Sequence, residues 1–279
     1  MNYFKTAILL IVLTLLLVWI GGMLGGPRGA AIAFVVALII NGISFWFSDK
    51  IILKMYNAQE LDPARHHHLY DMVKNLTDNS KLPMPKLYMM DQQSSNAFAT
   101  GRNPDHACLC VTRGLLELLN ENELKGVLAH ELAHVKNHDT LIMTVTASIA
   151  GAIMMLASLA RWTAILGAGN RGRRGGNIFG LIAISIIAPI AALIVQLAIS
   201  RQREYVADRS GSGIAGDSKG LADALYKLNQ ASKRDKIKAV PQTAHLFITN
   251  PLSGDFVSNL FSTHPSVKDR IARLNKIKL

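Results

Sequence analysis

Long apolar blocks alternate with mixed polar segments along the chain. Four blocks of 18 to 22 residues contain no Asp, Glu, Lys or Arg: residues 7–24, 30–47, 141–160 and 178–199. A helix needs about 20 apolar residues to cross the hydrocarbon layer of a membrane, and only helices or closed barrels satisfy their backbone there. The pattern therefore predicts a mainly α-helical integral membrane protein with up to four transmembrane helices.

The first two blocks are separated only by the turn-forming residues 25–29, which predicts a helical hairpin. Lys5 before the first block would also suit a cleaved signal peptide. No Ala-x-Ala site follows, however, and a second block begins five residues later, so an uncleaved anchor is favoured. The three tryptophans lie near block ends, as an aromatic belt predicts: Trp19, Trp46 and Trp162.

The net charge of +11 is unevenly distributed. Residues 49–140 carry 10 basic and 12 acidic side chains, whereas residues 200–279 carry 14 and 7. Since Lys and Arg concentrate on the cytoplasmic side of membrane proteins, both hydrophilic parts are predicted to face the cytoplasm. Four arginines between the last two blocks oppose this topology, so these blocks could instead be shallow, re-entrant or packed on protein. The basic tail predicts contact with anionic lipids, and no motif indicates a nucleic-acid partner.

Helix and strand patterns fill the hydrophilic segments. Short strands are predicted at residues 86–91, 95–100 and 107–112. Helix starts are predicted at Asp62, Asn120, Asp217 and His264. Glu123 completes a capping box with Asn120, and an apolar stripe follows at helical spacing. These segments predict an α+β unit with a small β-sheet.

The Asn120 helix carries the motif His130-Glu131-Leu132-Ala133-His134. Histidines four residues apart lie on one helix face, so both imidazoles can reach one zinc ion. Glu131 lies beside them and could accept a proton from water. His138 is about 12 Å from His130 along the axis, and is interpreted as a solvated helix residue.

A catalytic zinc needs a third protein ligand and an open position. His134 lies seven residues before the third block, and Glu204 lies five residues after the fourth. An antiparallel hairpin would bring both to about the same height, roughly 7–11 Å beyond the membrane. Asp208, one turn later, could then accept a hydrogen bond from a ligand imidazole. The alternative for Glu204 is a solvated carboxylate among neighbouring arginines.

Two other groups of potential ligands are interpreted as structural. Cys108 and Cys110 have the spacing of neither a disulfide framework nor a thiolate zinc site, and are predicted to be buried thiols on one strand face. His66, His67 and His68 lie on a predicted helix and are interpreted as solvated. One metal site per chain is therefore expected.

Four motifs together resemble the M48 metallopeptidases: His130-Glu-Leu-Ala-His134, Glu204-Tyr-Val-Ala-Asp208, Ser95-Asn-Ala-Phe-Ala-Thr100 and Thr263-His-Pro265. Two apolar blocks before the zinc motif and two after it resemble the HtpX-type members of that family. The resemblance covers nearly the whole chain. It implies a zincin-like catalytic domain that faces the cytoplasm from the bacterial inner membrane, and a multi-pass endopeptidase in stress-linked quality control of membrane proteins.

The resemblance also implies residue roles. His130, His134 and Glu204 would bind one Zn²⁺, Glu131 would be the general base, and His264 would stabilise the oxyanion. Asn96, Ala97, Phe98 and Ala99 resemble the edge strand of the family that pairs with the backbone of a polypeptide substrate. On its own sequence context, His264 could equally be a helix cap before Pro265.

The implied organisation has four parts. Residues 1–48 form a transmembrane hairpin, 49–140 the first part of the catalytic domain, 141–199 the third and fourth membrane helices, and 200–279 the second part of the catalytic domain. Two other functions remain open: a membrane scaffold with a structural zinc, and a processing peptidase of narrow specificity. A closed, four-ligand site would favour the scaffold, and a single cleavage position would favour the processing enzyme.

Overall fold

The computed structural model describes residues 2–146, 201–234, 248 and 265–278. Its helices are α1 (Asn2–Met55), α2 (His67–Ser80), α3 (Arg113–Leu118), α4 (Glu121–Lys136), α5 (Arg201–Ala215), α6 (Lys219–Arg234) and α7 (Val267–Leu274). Its strands are β1 (Gln59–Glu60), β2 (Lys86–Met90), β3 (Ala97–Thr100) and β4 (Cys108–Thr112). The described chain is therefore mostly helical with a small sheet, as predicted.

Helix α1 doubles back on itself at its centre. Gly25 and Gly26 have non-helical dihedrals, and Gly26 has a φ of 60°, which favours glycine. Across the turn, Asn41 Nδ2 donates a hydrogen bond of 2.9 Å to Thr14 Oγ1. The two halves of α1 therefore run antiparallel, as the predicted hairpin requires.

Within the described residues, Gly25–Met55 is one helix long and apolar enough to cross a membrane, and a shorter apolar stretch, Thr6–Trp19, precedes it. Of the third apolar block, the described part is residues 141–146, which continue a helix from residue 139. The rest of that block, the fourth block, Trp162 and His264 lie outside the described residues. The number of membrane spans therefore stays a prediction.

The sheet has the order β1-β2-β4-β3. Strands β2 and β4 are parallel, and the other two pairs are antiparallel. Strands β3 and β4 lie within the segments predicted as strands at residues 95–100 and 107–112, and β3 forms one edge of the sheet. Cys108 and Cys110 are free and buried in β4, and burial raises the pKa of Cys108 to about 12. Both are buried thiols in a strand, as predicted, and a raised pKa keeps Cys108 in the unreactive thiol form at neutral pH.

Helix α4 is central among the described elements outside α1, because it contacts α2, β3, α5 and α6. Its start is fixed by the predicted capping box, in which Asn120 Oδ1 accepts from Glu123 N at 3.0 Å and Glu123 Oε2 accepts from Asn120 N at 2.9 Å. The apolar side of α4, which includes Val127, Leu128 and Leu132, packs in one hydrophobic core with the sheet and with Leu225 of α6.

Three local predictions from the sequence are wrong. Asp62 does not begin α2: its Oδ1 accepts from Ala64 N at 3.0 Å within a turn, and the helix begins later. The last helix is capped by Ser266, whose Oγ accepts from Asp269 N at 3.1 Å. His138 is exposed but not helical, since α4 ends before it and its φ is 57°. In each case local hydrogen bonding moves the helix boundary by a few residues.

Candidate metal centre

Helix α4 turns its ionisable residues inward at one end. His130 and His134 are 1% and 3% exposed, and their ring centroids lie 4.8 Å apart. The four-residue spacing puts both imidazoles on one helix face. This face is covered by α5, so the two rings lie in a pocket between the helices.

Helix α5 reaches α4 closely because Gly211 has no side chain. A Cβ on Gly211 would lie 2.8 Å from the Cα of His130 and 2.9 Å from its N, which is closer than atoms pack. Asp208 and Glu204 precede Gly211 by one and two turns, on the same side of α5. The close contact at Gly211 therefore directs both carboxylates into the pocket.

Glu204 completes a group of three potential ligands. Its Oε1 lies 3.5 Å from Nε2 of His134, and its Oε2 lies 3.8 Å from Nε2 of His130. One ligand atom from each residue lies within 4.8 Å of the others, and all three residues are buried. The two histidines and the glutamate that the sequence singles out thus converge on one point.

The outward-facing nitrogen of each histidine meets a carboxylate. Nδ1 of His130 lies 3.0 Å from Asp208 Oδ1, and Nδ1 of His134 lies 3.3 Å from Asp139 Oδ2. A carboxylate on one ring nitrogen fixes the tautomer that presents the other nitrogen to a metal. This arrangement directs both Nε2 atoms towards Glu204.

Glu131 is held at the boundary between α4 and the sheet. Its Oε2 accepts a hydrogen bond of 3.0 Å from the backbone N of Ala99 in β3. Burial, opposed by His134, raises the pKa of Glu131 to about 7. A carboxylate oriented next to the three potential ligands, on the sheet side, can exchange a proton near neutral pH.

The charges of the pocket suit a divalent cation. Four buried carboxylates surround the pocket among the described residues: Glu131, Asp139, Glu204 and Asp208. Two arginines contact them: Arg203 lies 3.6 Å from Asp139, and Arg270 lies 2.6 Å from Asp208. When all four carboxylates are ionised, they carry two more charges than the two guanidinium groups. Burial lowers the pKa of His130. At His134 burial is outweighed by Asp139 and Glu204, which raise the pKa to about 10, so a metal ion bound here would displace the proton of His134. Two imidazoles, a carboxylate and this surplus fit a zinc-type ion.

The other predicted site residues are placed less centrally. Asn96 is buried, and its Oδ1 accepts a hydrogen bond of 3.1 Å from Ile248 N. Phe98 is fully buried, with its ring 5.9 Å from that of Tyr56, so only its backbone could meet a substrate. Strand β3 as a whole lies at the sheet edge next to Glu131. His264 lies outside the described residues.

Sequence reasoning missed three residues of this pocket: Arg270, Asp139 and Gly211. Arg270 had a signal, since it lies three residues after Val267 and four before Leu274, which puts it on the same face of a helix as these apolar residues. A charge on an apolar stripe indicates a buried partner. Gly211 and Asp139 had no comparable signal, because their roles depend on which helix packs against α4.

The family model described as peptidase family M48 matches residues 63–278. The chain is 55% identical over 276 residues to a "Protease HtpX homolog" of Desulforapulum autotrophicum, covering 98% of this chain and 89% of that protein. It is 50% identical over 278 residues to a protein of the same description from Syntrophobacter fumaroxidans, covering 98% and 99%. These matches identify the class of protein as a metalloprotease. The chain belongs to peptidase family M48, as the motifs predict.

A crystal structure of S. mikatae Ste24p is similar to the chain with 19% sequence identity and a TM-score of 0.48. The similarity covers 88% of this chain, which spans 57% of that one. The family matches and the apolar helix Gly25–Met55 together indicate a membrane-associated metalloprotease. Its substrates are polypeptides.

Proposed function

We propose that the chain is a zinc-dependent endopeptidase of the bacterial inner membrane, which cleaves misfolded or damaged membrane and cytoplasmic proteins on the cytoplasmic side. The observation that carries this proposal is the convergence of His130, His134 and Glu204, with Glu131 beside them and a carboxylate behind each imidazole. Two imidazoles and one carboxylate are a common ligand set of catalytic zinc. The membrane location is supported by the apolar blocks, and the orientation by the distribution of Lys and Arg.

In this proposal His130, His134 and Glu204 hold the zinc ion. When bound, zinc supplies Lewis acidity to a carbonyl and to water. Glu131 accepts the proton of the attacking water, and its carboxylate is oriented by the N–H of Ala99. Asp208 and Asp139 hold the imidazoles in the orientation that leaves both Nε2 atoms available.

The edge strand β3 is proposed to bind the substrate backbone by strand addition. Its N–H at Ala99 points to Glu131 rather than to β4, so a segment laid along this edge would pass the proposed base. Asn96 Nδ2 has no hydrogen-bond partner among the described residues and is a candidate donor to that segment. His264 is proposed to stabilise the oxyanion, on the family resemblance alone.

Residues 49–140 and 200–279 are proposed to form one catalytic unit around these contacts, since α4 and α5 come from different parts of the chain. The hairpin of residues 1–48 and the membrane segments of residues 141–199 would anchor this unit to the bilayer. Contact with anionic lipids is proposed for its basic second part.

The test is cleavage of a disordered polypeptide, such as casein, by the purified full chain with its zinc content measured in parallel. Glu131→Gln should keep the zinc and lower cleavage by about 10²–10⁴-fold, because it removes the base but no ligand. The matched control is Glu121→Gln on the same helix, where the side chain is 69% exposed, and cleavage should be unchanged. Undiminished cleavage by Glu131→Gln would refute the proposal.

A further inference from the structure

Arg270 is the largest fully buried side chain of the described residues, with 1% exposure. It projects from α7, the last helix, into the pocket between α4 and α5. A buried arginine needs enough acceptors to replace its water. The acceptors that Arg270 contacts therefore indicate its role in the site.

The strongest contact of Arg270 is with Asp208. Its Nε donates to Asp208 Oδ2 at 2.9 Å, and its Nη2 donates to Oδ1 at 2.6 Å. The same Oδ1 lies 3.0 Å from Nδ1 of His130. Two parallel bonds fix the plane of a carboxylate, so the guanidinium fixes the group that orients the imidazole.

Further contacts connect Arg270 to other parts of the site, and its Nη2 also lies 3.3 Å from Nε2 of His130. Its Nη1 lies 3.2 Å from Glu204 Oε2 and donates to the carbonyl O of Ile248 at 3.0 Å. The N–H of Ile248 in turn donates to Asn96 Oδ1 at 3.1 Å. One guanidinium thus contacts the orienting carboxylate and the third candidate ligand, and it is connected to Asn96, just before the edge strand, through the backbone N–H and C=O of the single residue Ile248.

We propose that Arg270 is a positioning residue of the metal site, which orients His130 through Asp208 and holds Glu204 in place. The inference rests on the proposed zinc function. The role requires the planar fork of arginine, because a lysine ammonium is a point charge that cannot bond both Asp208 oxygens in parallel. Arg270→Lys therefore keeps the buried positive charge but removes the two parallel hydrogen bonds to Asp208.

A purely structural ion pair makes a different prediction. If Arg270 only attached α7 to the core, Arg270→Lys would lower the melting temperature of the metal-free and the zinc-loaded protein equally. The zinc dissociation constant of the folded protein would then be unchanged. A positioning role instead raises that dissociation constant, because the ligands are less well ordered before binding.

The experiment measures the zinc dissociation constant of the full chain by competition with a chromophoric chelator, with circular dichroism as the check on folding. Arg270→Lys should weaken zinc binding by about 10–100-fold. The matched control is Arg273→Lys on the same helix, where the exposed guanidinium stacks on Tyr205 and does not contact the pocket. Its dissociation constant should stay within about threefold of wild type.

Asp208→Asn provides a second variant if Arg270→Lys does not fold. It keeps the shape of the side chain but loses the charge that Arg270 binds, and should also weaken zinc binding by about 10–100-fold. Wild-type dissociation constants in the folded Arg270→Lys protein, or in Asp208→Asn if the former is unfolded, would overturn the inference. Failure of the wild type itself to bind zinc would overturn the proposed function instead.

Discussion

Helices α1 and α4 both depart from the usual arrangement of a soluble helix, in opposite ways. On the second half of α1 the large apolar side chains face outward, among them Ile32, Phe34, Val35, Leu38 and Ile39, whereas Ala37, Ser44 and Ser48 are buried. On α4 the buried face instead carries ionisable side chains: Glu123, His130, Glu131 and His134. Helix α1 therefore exposes apolar side chains, and helix α4 buries ionisable ones.

The difference shows what each region depends on. Among the described side chains of the hairpin the buried polar groups are small, and Asn41 Nδ2 donates to Thr14 Oγ1, so α1 depends mainly on apolar surroundings. The carboxylates and imidazoles around α4 are costly to bury without counter-charges. Arginines supply part of the compensation, and a bound cation would supply the rest. We therefore expect α1 to be sensitive to substitutions on its outer face, and the site around α4 to be sensitive to substitutions of buried residues.

The largest expected effect is from a charge on the outer face of α1. Leu38 is 53% exposed and lies in the middle of the candidate span. Leu38→Lys should make membrane insertion of residues 25–55 less favourable by about 3 kcal/mol. The measurement is the inserted fraction of this segment in a host protein with glycosylation sites on both flanks.

Leu38→Met is the control, since it keeps an apolar side chain of similar volume and should insert like the wild type. Equal insertion of the Leu38→Lys and wild-type segments would mean that this face of α1 does not meet lipid.

A smaller effect is expected where α5 meets α4. Gly211→Ala places a methyl group against the backbone of His130, so the helices must separate. We expect a loss of about 1–3 kcal/mol in the free energy of unfolding, together with weaker zinc binding. Thermal or denaturant unfolding of the full chain, with zinc titration of the folded protein, measures both.

Gly213→Ala is the matched control and the smallest expected change. A Cβ at Gly213 meets nothing within 4 Å, and alanine is the better helix former. The free energy of unfolding should rise by about 0.5–1 kcal/mol. If Gly211→Ala behaved like Gly213→Ala, close packing at Gly211 would not be what brings α5 to the metal ligands.

Sequence patterns sufficed where the deciding interaction is local. The capping box at Asn120 involves residues three apart, the two histidines lie one turn apart, and the β3–β4 turn lies within one short segment. The position of Glu204 was predictable only through the assumption of a membrane hairpin or through the family resemblance, because it lies 70 positions after His134.

The rest of the pocket depends on packing between distant helices. Asp139 contacts His134 only because the chain turns at Asn137 and His138 after α4 ends. Arg270 reaches Asp208 from 62 residues away, and its position on an apolar stripe was the only local sign. Helix starts such as that of α2 were misplaced because Asp62 also forms a turn.

The most direct test of the central claim is the zinc content of the purified chain in wild type and Glu204→Ala, determined by mass spectrometry after gel filtration. We expect about one zinc per chain in the wild type and much less in Glu204→Ala, because two imidazoles alone leave a catalytic site incomplete. A full zinc equivalent in Glu204→Ala would contradict the claim.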